Sequence, residues 1–401
     1  MNSYFEKLGR AVSERWQQQN FSLEAFPELA RIALEEAPPS QNVNLDEMIH
    51  ELLTNDEQPF QSQSGFGQPE IVAFNHPRFY IQILFWLEGT TEIHQHEFSG
   101  AFHVMRGSSL HSEFDFEGAR SITPHIRIGN LRMKRIELLE TGRTVSITSG
   151  RECIHSLFHL DTPSVTVVIR TQHDPGTGPQ FNYLPPHLAV DPLHVDALTM
   201  RRQQLLDVLE TLDDPSYANL VGEMMESLDF ERGFNILRYA MNRLQDLNEW
   251  GPALTTFQEK HGELAQGVPD TLAECLRRET LTGMRFHIVD PDHRFFLALL
   301  LNAPTCKEIL AFIAKRVPDR PPIETILGWI GDLVEPGDSG ATLLDAAFPE
   351  TFDVPLHEQP PLLIEVLKHA LKKGPESENP TAEFSEIVAT LKASCLRPLF
   401  W

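Results

Sequence analysis

The residues of this 401-residue chain best spaced for metal chemistry are two imidazoles two positions apart, in His94-Gln95-His96. On a β-strand, residues i and i+2 project from one face, so both rings can reach a single ion. A third imidazole, His155, comes about 60 residues later, enough chain for two or three strands to fold and return alongside. Three neutral imidazoles suit Zn, Fe, Cu or Ni, and a three-ligand site leaves coordination positions for substrate or dioxygen. The three belong to a cluster, since eight of the 17 His lie between His94 and His173. Against this, a short His-x-His match also arises by chance, and a lone strand histidine is more often hydrogen-bonded or exposed than a ligand.

Other chemistry is thinner. His287, Asp290 and His293 in RFHIVDPDHRFF read as a turn and helix start, with Asp290 or Asp292 as the cap. The sequence has no phosphate-binding glycine loop, dinucleotide motif or Gly-x-Ser-x-Gly elbow. Cys153, Cys275, Cys306 and Cys395 are scattered without a CxxC pair, which fits free thiols in a reducing compartment. The charge sum, 33 − 57 = −24, argues against nucleic acid or an anionic membrane as the main partner. No apolar run approaches the ~18 residues of a membrane span. The start, MNSYFEKLGR, lacks an apolar signal core, so a cytoplasmic location is expected.

Three sections of chain must position the histidines. Residues 1–70 read as helices packed on the β-rich section after them: Phe5, Leu8, Val12 and Trp16 recur at helical spacing, and Asn44 caps a second helix reaching Leu53. TNDEQPFQSQSGFGQPE then serves as a loop. Residues 71–190 turn to short β-rich runs, among them FYIQILFW, AFHVM and SVTVVIR, punctuated by Gly89, Gly100, Gly107, Gly118, Gly129, Gly142 and Gly150. Many short strands without intervening helices predict an antiparallel barrel or sandwich. The Pro- and Gly-rich stretch 173–194 is a linker or a packed extended arm. Residues 191–401 read as helical, with Leu198, Leu205, Val208 and Leu212 on one face, Phe234, Leu237, Met241 and Leu244 on another, and Gly374 at a helix C-cap. Each such stripe is expected first of all to face a core. The fold class is therefore α+β, an antiparallel barrel with N-terminal helices and then an all-α region. That last region is expected to cap the barrel, form a homodimer or recruit a protein partner.

The stretch G-T-T-E-I-H-Q-H-E-F-S-G-A-F-H-V-M-R-G resembles the first cupin motif, a glycine, an HxH pair and a strand ending in glycine. Cupins carry an acidic ligand after the HxH pair, and here Gly100 stands at that position. This departure resembles the cysteine dioxygenase-like branch, which holds ferrous iron on three His without a carboxylate. RFYIQILFWLEG before the motif and RIELLETGRTVSITSGRECIHSLFHLDTPSVTVVIRT after it are similar to further strands of that branch. The likeness covers roughly residues 44–175 and implies a cupin (jelly-roll) barrel with His94, His96 and His155 on Fe(II). Matched on Pro163, the last strand has Thr166, Val168 and Arg170 where that branch places Ser, His and Tyr. The Tyr, and the Cys it crosslinks to, are thus missing, and simple cysteine oxidation is not implied.

If the match sets the inward face, Thr166 and Arg170 become candidate catalytic residues. A guanidinium inside a barrel calls for an anion, supplied by a substrate carboxylate or phosphate, or by a protein carboxylate if Arg170 sits at the rim. Trp86 and Phe102 are candidates to wall the cavity, Cys153 to share the face of His155, and His159 to support His155 unless it lies in a turn. His103, His111 and His125 read as ordinary strand or loop residues. The resemblance implies an iron-dependent oxygenase acting on a small anionic, thiol- or carboxylate-bearing substrate with O₂. The alternative is a metal- or ligand-binding cupin module whose helical region serves regulation or partner binding.

Overall fold

The computed structural model describes residues 2–57, 59–61, 66–334, 360–373 and 382–400. Phe5, Leu8, Val12 and Trp16 form the buried face of helix α1 (Asn2–Gln18). After α2 (Phe26–Glu36) and the single turn α3 (Pro39–Asn42), helix α4 (Leu45–Thr54) begins as the sequence predicts. The Asn44 side chain accepts from the backbone N–H groups of Asp46 and Glu47, satisfying two donors that a helix start leaves free.

Strands then come in succession: β1 (Glu70–His76), β2 (Phe79–Trp86), β3 (His94–His96), β4 (Gly100–Arg106), β5 (Ser108–Ser121), β6 (Ile126–Glu140), β7 (Thr144–Ile147), β8 (Gly150–His159), β9 (Ser164–Thr171), β10 (Asn182–Leu184) and β11 (Leu188–Val190). One sheet has the order β1-β2-β9-β4-β7, and a closed barrel runs β10-β11-β6-β5-β8-β3. The Pro- and Gly-rich stretch is thus a packed arm: its β10 and β11 close the barrel, with Asn182 paired to His94. Leu84, Trp86, Phe102, Val104 and Val168 of the five-stranded sheet meet Leu139 and Leu157 of the barrel in one apolar cluster. The opposite side of that sheet, Ile81, Ile83, Val165, Val167 and Ile169, is covered by α1, α2 and α4. Burial on both faces is why β2 and β9 read as near-continuous apolar runs rather than alternating ones.

The helical region begins at α5 (Ala197–Thr211) and continues through α6 (Tyr217–Ser227), α7 (Phe230–Asp246), α8 (Trp250–His261), α9 (Val268–Met284) and α10 (Pro291–Asn302), with further helices reaching Phe400. It packs on the barrel rather than hanging from it. Phe234, Leu237, Met241 and Leu244 of α7 join Ile126, Leu184 and Leu188 in one cluster, and the wholly buried stretch Phe295–Leu301 of α10 packs on Leu110, Phe158 and Leu160. The Asp290 side chain caps α10, accepting from the N–H groups of Asp292 and His293. Gly374 lies outside the described residues.

One expectation is overturned. Leu198, Leu205 and Val208 of α5 and Leu212 at its C-cap do share a face, but that face looks to solvent, with the four side chains 51–69% exposed. Thr199 and Leu206 are the buried residues of this helix. An apolar stripe identifies a face that gains from burial without saying that its own chain buries it.

Candidate metal centre

His94 and His155 sit directly opposite each other on the neighbouring strands β3 and β8, and His96 lies beyond a register shift. Cross-strand partners have Cβ atoms about 5 Å apart, so pairing alone brings the rings together. One nitrogen from each of the three lies within 4.8 Å of the others, and all three residues are buried.

Hydrogen bonds fix the tautomers. His94 Nδ1 lies 2.8 Å from the carbonyl of Glu92, which can only accept, so Nδ1 carries the proton and Nε2 a lone pair. That Nε2 is buried and has no hydrogen-bond partner in the protein. His155 Nδ1 lies 2.9 Å from His111 Nε2, and His111 Nδ1 lies 3.4 Å from the Glu137 carboxylate. Because the carboxylate accepts, His111 is protonated on Nδ1, its Nε2 accepts, and His155 donates from Nδ1. The lone pair of His155 therefore also rests on Nε2. His96 Nε2 is 2.8 Å from it. This is a hydrogen-bonding distance, and it is also close to the about 3 Å that separates two imidazoles bound at right angles to one ion at the usual ~2.1 Å, so the pair can pass to a shared cation when His96 gives up an Nε2 proton. Burial, then mutual repulsion, pushes the His96 and His155 pKa values well below the ordinary range, and burial lowers that of His94. Neutral imidazole is the state a metal ligand requires.

The set fits a cation on its donor chemistry, and the backbone around Gly100 leaves no room for a further side-chain ligand there. A Cβ there would stand 2.0 Å from the carbonyl oxygen of Ile169 and 2.9 Å from Arg170 Cα, backbone atoms that cannot swing away. Gly100→Ala is expected to lower stability by ~1–3 kcal/mol, read from chemical unfolding, and Gly100→Glu by more.

A second group, His111, Glu113 and Glu137, also brings its donor atoms within 4.8 Å. Arg135 bonds the Glu113 carboxylate and lies 3.4 Å from that of Glu137, while His111 Nε2 is engaged by His155. This group supports the first rather than holding an ion of its own. His111, read from the sequence as ordinary, is thus the partner of His155. His159 is not: it ends β8, its Nδ1 lies 2.9 Å from Ser109 Oγ, and its ring stacks on Trp86 at 4.6 Å. His103 faces away from the barrel interior, buried against Ser40 and Thr144. Cys153 packs at the edge of the interior cluster, its thiol pushed up to about 11 by burial. His293 lies against Asp332, and His287, Asp290 and His293 form no metal group among the described residues.

Thr166 is buried and its Oγ1 lies 3.3 Å from Trp86 Nε1, so it anchors the indole. The Arg170 guanidinium lies 3.4 Å over the Phe98 ring, with Nε and Nη2 donating to the carbonyls of Thr171 and Gln172. Its charge contributes to keeping His96 neutral. A cavity of about 490 Å³ is lined by His94 together with Trp86, Thr91, Asn182 and Arg285.

Burial holds His159 down to about 3 and His103 down to about 4. Both have folded pKa values below the unfolded ~6.5, so the unfolded chain takes up protons first and stability falls as pH drops from ~6.5 toward those values. Each group removes up to ~1.4 kcal/mol per pH unit in that window. The urea midpoint of metal-free protein is expected to fall between pH 7 and pH 5, above the range of ordinary carboxylates. A His159→Asn variant should lose part of the slope.

No family model matches the chain, and no curated protein matches it. Among solved structures it is similar to a cupin-2 domain protein of Shewanella frigidimarina NCIMB 400 (14% identity, 32% of this chain and 94% of that one, TM-score 0.20). It is also similar to hydroquinone 1,2-dioxygenase from Sphingomonas sp. TTNP3, solved with 4-hydroxybenzoate (14% identity, 27% and 67%, TM-score 0.21). A third is the DMSP lyase of Ruegeria pomeroyi DSS-3 (14% identity, 46% and 98%, TM-score 0.24). Each is a partial likeness, covering less than half of this chain, and reaches neither substrate nor chemistry. No helix among the described residues is long and apolar enough to cross a membrane.

Proposed function

We propose that this protein is a mononuclear non-heme iron oxygenase of the cupin kind, in which His94, His96 and His155 hold Fe(II) and a small anionic molecule reacts with O₂ in the cytoplasm. The observation that carries the reading is the 2.8 Å separation of the His96 and His155 Nε2 atoms beside the partnerless Nε2 of His94. Iron is preferred over other ions because three His without a carboxylate resemble the cysteine dioxygenase-like branch. When bound, the ion supplies the one-electron chemistry that lets dioxygen react with a closed-shell molecule. Three neutral ligands leave its 2+ charge uncompensated, which favours a substrate donating through thiolate, carboxylate or alkoxide.

The chain's own contributions are positional. The Glu92 carbonyl and the Glu137–His111 pair hold His94 and His155 with their Nε2 lone pairs available. Trp86, held by Thr166 and stacked on His159, gives the cavity a rigid wall. Phe98, Phe102 and Val168 keep water from the inner side, and Arg170 adds positive charge beside His96. Purified chain loaded anaerobically with Fe(II) is expected to consume O₂ only when a substrate is added. Iron bound one to one, with no substrate-dependent uptake across thiols, amino acids and phenols, would count against the oxygenase.

A second reading, a ligand-sensing module that docks a protein partner, is favoured by the exposed apolar face of α5. Zinc or no metal in the purified protein, with no oxygen uptake, would select it.

A further inference from the structure

The residue just past helix α9 is Arg285, and it reaches back from the helical region to the barrel. Its Nε donates to the carbonyl of His159 at 3.0 Å and its Nη1 to the Glu88 carboxylate at 2.5 Å. Its Nη2 has no hydrogen-bond partner, although the residue is only 2% exposed. Arg294, 4% exposed, shares the same carboxylate at 3.7 Å. Glu88 is the one acid paired with either guanidinium among the described residues, so this buried group carries one positive charge more than its carboxylate neutralises. A buried, uncompensated guanidinium is costly, and an unmade hydrogen bond on it adds to the cost.

Its position gives that surplus a purpose. Arg285 lines the cavity of about 490 Å³ that His94 also lines. Arg170 does not line it and is instead occupied by Phe98 and two backbone carbonyls. The Glu88 end of the pair is fixed, because Gln68 Oε1 accepts from the backbone N–H groups of Leu87 and Glu88. Phe286, the next residue, lines the same cavity and is 60% exposed.

We propose that Arg285, supplied by the helical region, is the anion-binding residue of the cavity that His94 lines and takes the carboxylate of a small molecule on its free Nη2. The cavity is then built jointly by barrel and helices, which gives the second half of the chain a role in the site. The proposal rests on the oxygenase reading only in calling this carboxylate compound a substrate.

Benzoate and its neutral isostere benzamide test it by calorimetry on the full chain. Benzoate is expected to bind, benzamide at least about tenfold more weakly, and Arg285→Gln to lose about tenfold or more in benzoate affinity, with Arg285→Lys between them. Glu88→Gln leaves Arg285 in place and removes its competing carboxylate, so it should tighten benzoate binding several-fold. That variant decides the matter if Arg285→Gln does not fold. Equal affinity for the two probes, no benzoate binding, or no change in either variant would overturn the proposal. Metal uptake is measured on the same samples: benzoate binding without stoichiometric metal overturns the oxygenase reading and leaves this one standing.

Discussion

His94→Ala is expected to abolish metal retention while leaving the barrel folded. The side chain makes one hydrogen bond, to the Glu92 carbonyl, and lines an existing cavity, so truncation enlarges a solvent-reachable space instead of opening a sealed void. Two imidazoles remain, and the loss of affinity should exceed the about 100-fold that removing an outer partner of a ligand costs. Metal analysis after gel filtration gives the stoichiometry, expected near one for the wild type and near zero for the variant. Thermal unfolding gives a second reading, because an ion that binds only the native state stabilises it by about 2.7 kcal/mol at 100 times its Kd. Iron should therefore raise the midpoint of the wild type and not that of His94→Ala. His155→Ala should lose metal too but unfold more easily. It leaves His111 Nε2 buried without a partner, at a cost of ~1–3 kcal/mol. Equal metal content in His94→Ala and wild type would remove His94 from the site.

How far the site was legible depends on the range of the interactions that build it. His94 and His96 declare themselves because a strand's two-residue period is local. His155 is flagged by the resemblance, since nothing local distinguishes it from His159 on the same strand. The partnership with His111 and Glu137 was not readable: it depends on β5 and β6 pairing so that His111 faces Glu137, across strands interrupted by register shifts at Glu113/Phe114 and at Glu117/Arg120. A one-residue slip would turn those side chains to the other face. Gly100 looked like a missing ligand and is a close backbone contact, visible only once β4 and β9 are paired. The barrel and the helices on either side were legible as texture, from strand alternation and helical stripes. Which stripe meets a core was not, and α5 shows it. Arg285 lies 130 positions beyond His155, too far for any spacing argument.

The outer support of His155 makes the second large prediction. Glu137 accepts from His111, and His111 accepts from His155, so the proton positions along the chain are determined from the carboxylate inward. The hydrogen bond to His111 is the first cause holding the Glu137 carboxyl below the usual range, which keeps the acceptor ionised. His111→Leu cuts the chain in the middle. His155 can then carry its proton on Nε2, donating to His96 Nε2 2.8 Å away, and no longer offers an ion its Nε2 lone pair. Metal affinity is expected to fall 10–100-fold with the one-to-one stoichiometry retained, the range typical for loss of such a partner. Competition with a chelator measures the affinity. Nitrogen-proton spectra of metal-free protein should show a slowly exchanging His155 Nδ1–H in the wild type and not in the variant. His111→Gln offers a carbonyl oxygen in place of Nε2 and should restore part of both signals, which a merely space-filling role would not predict. Glu137→Gln should weaken the metal less than His111→Leu, because His111 remains as the acceptor while the charge that fixes its tautomer is gone. Unchanged affinity in all three would reduce the buried Glu137–His111–His155 line to core packing and leave the metal centre dependent on the backbone pairing of β3 with β8 alone.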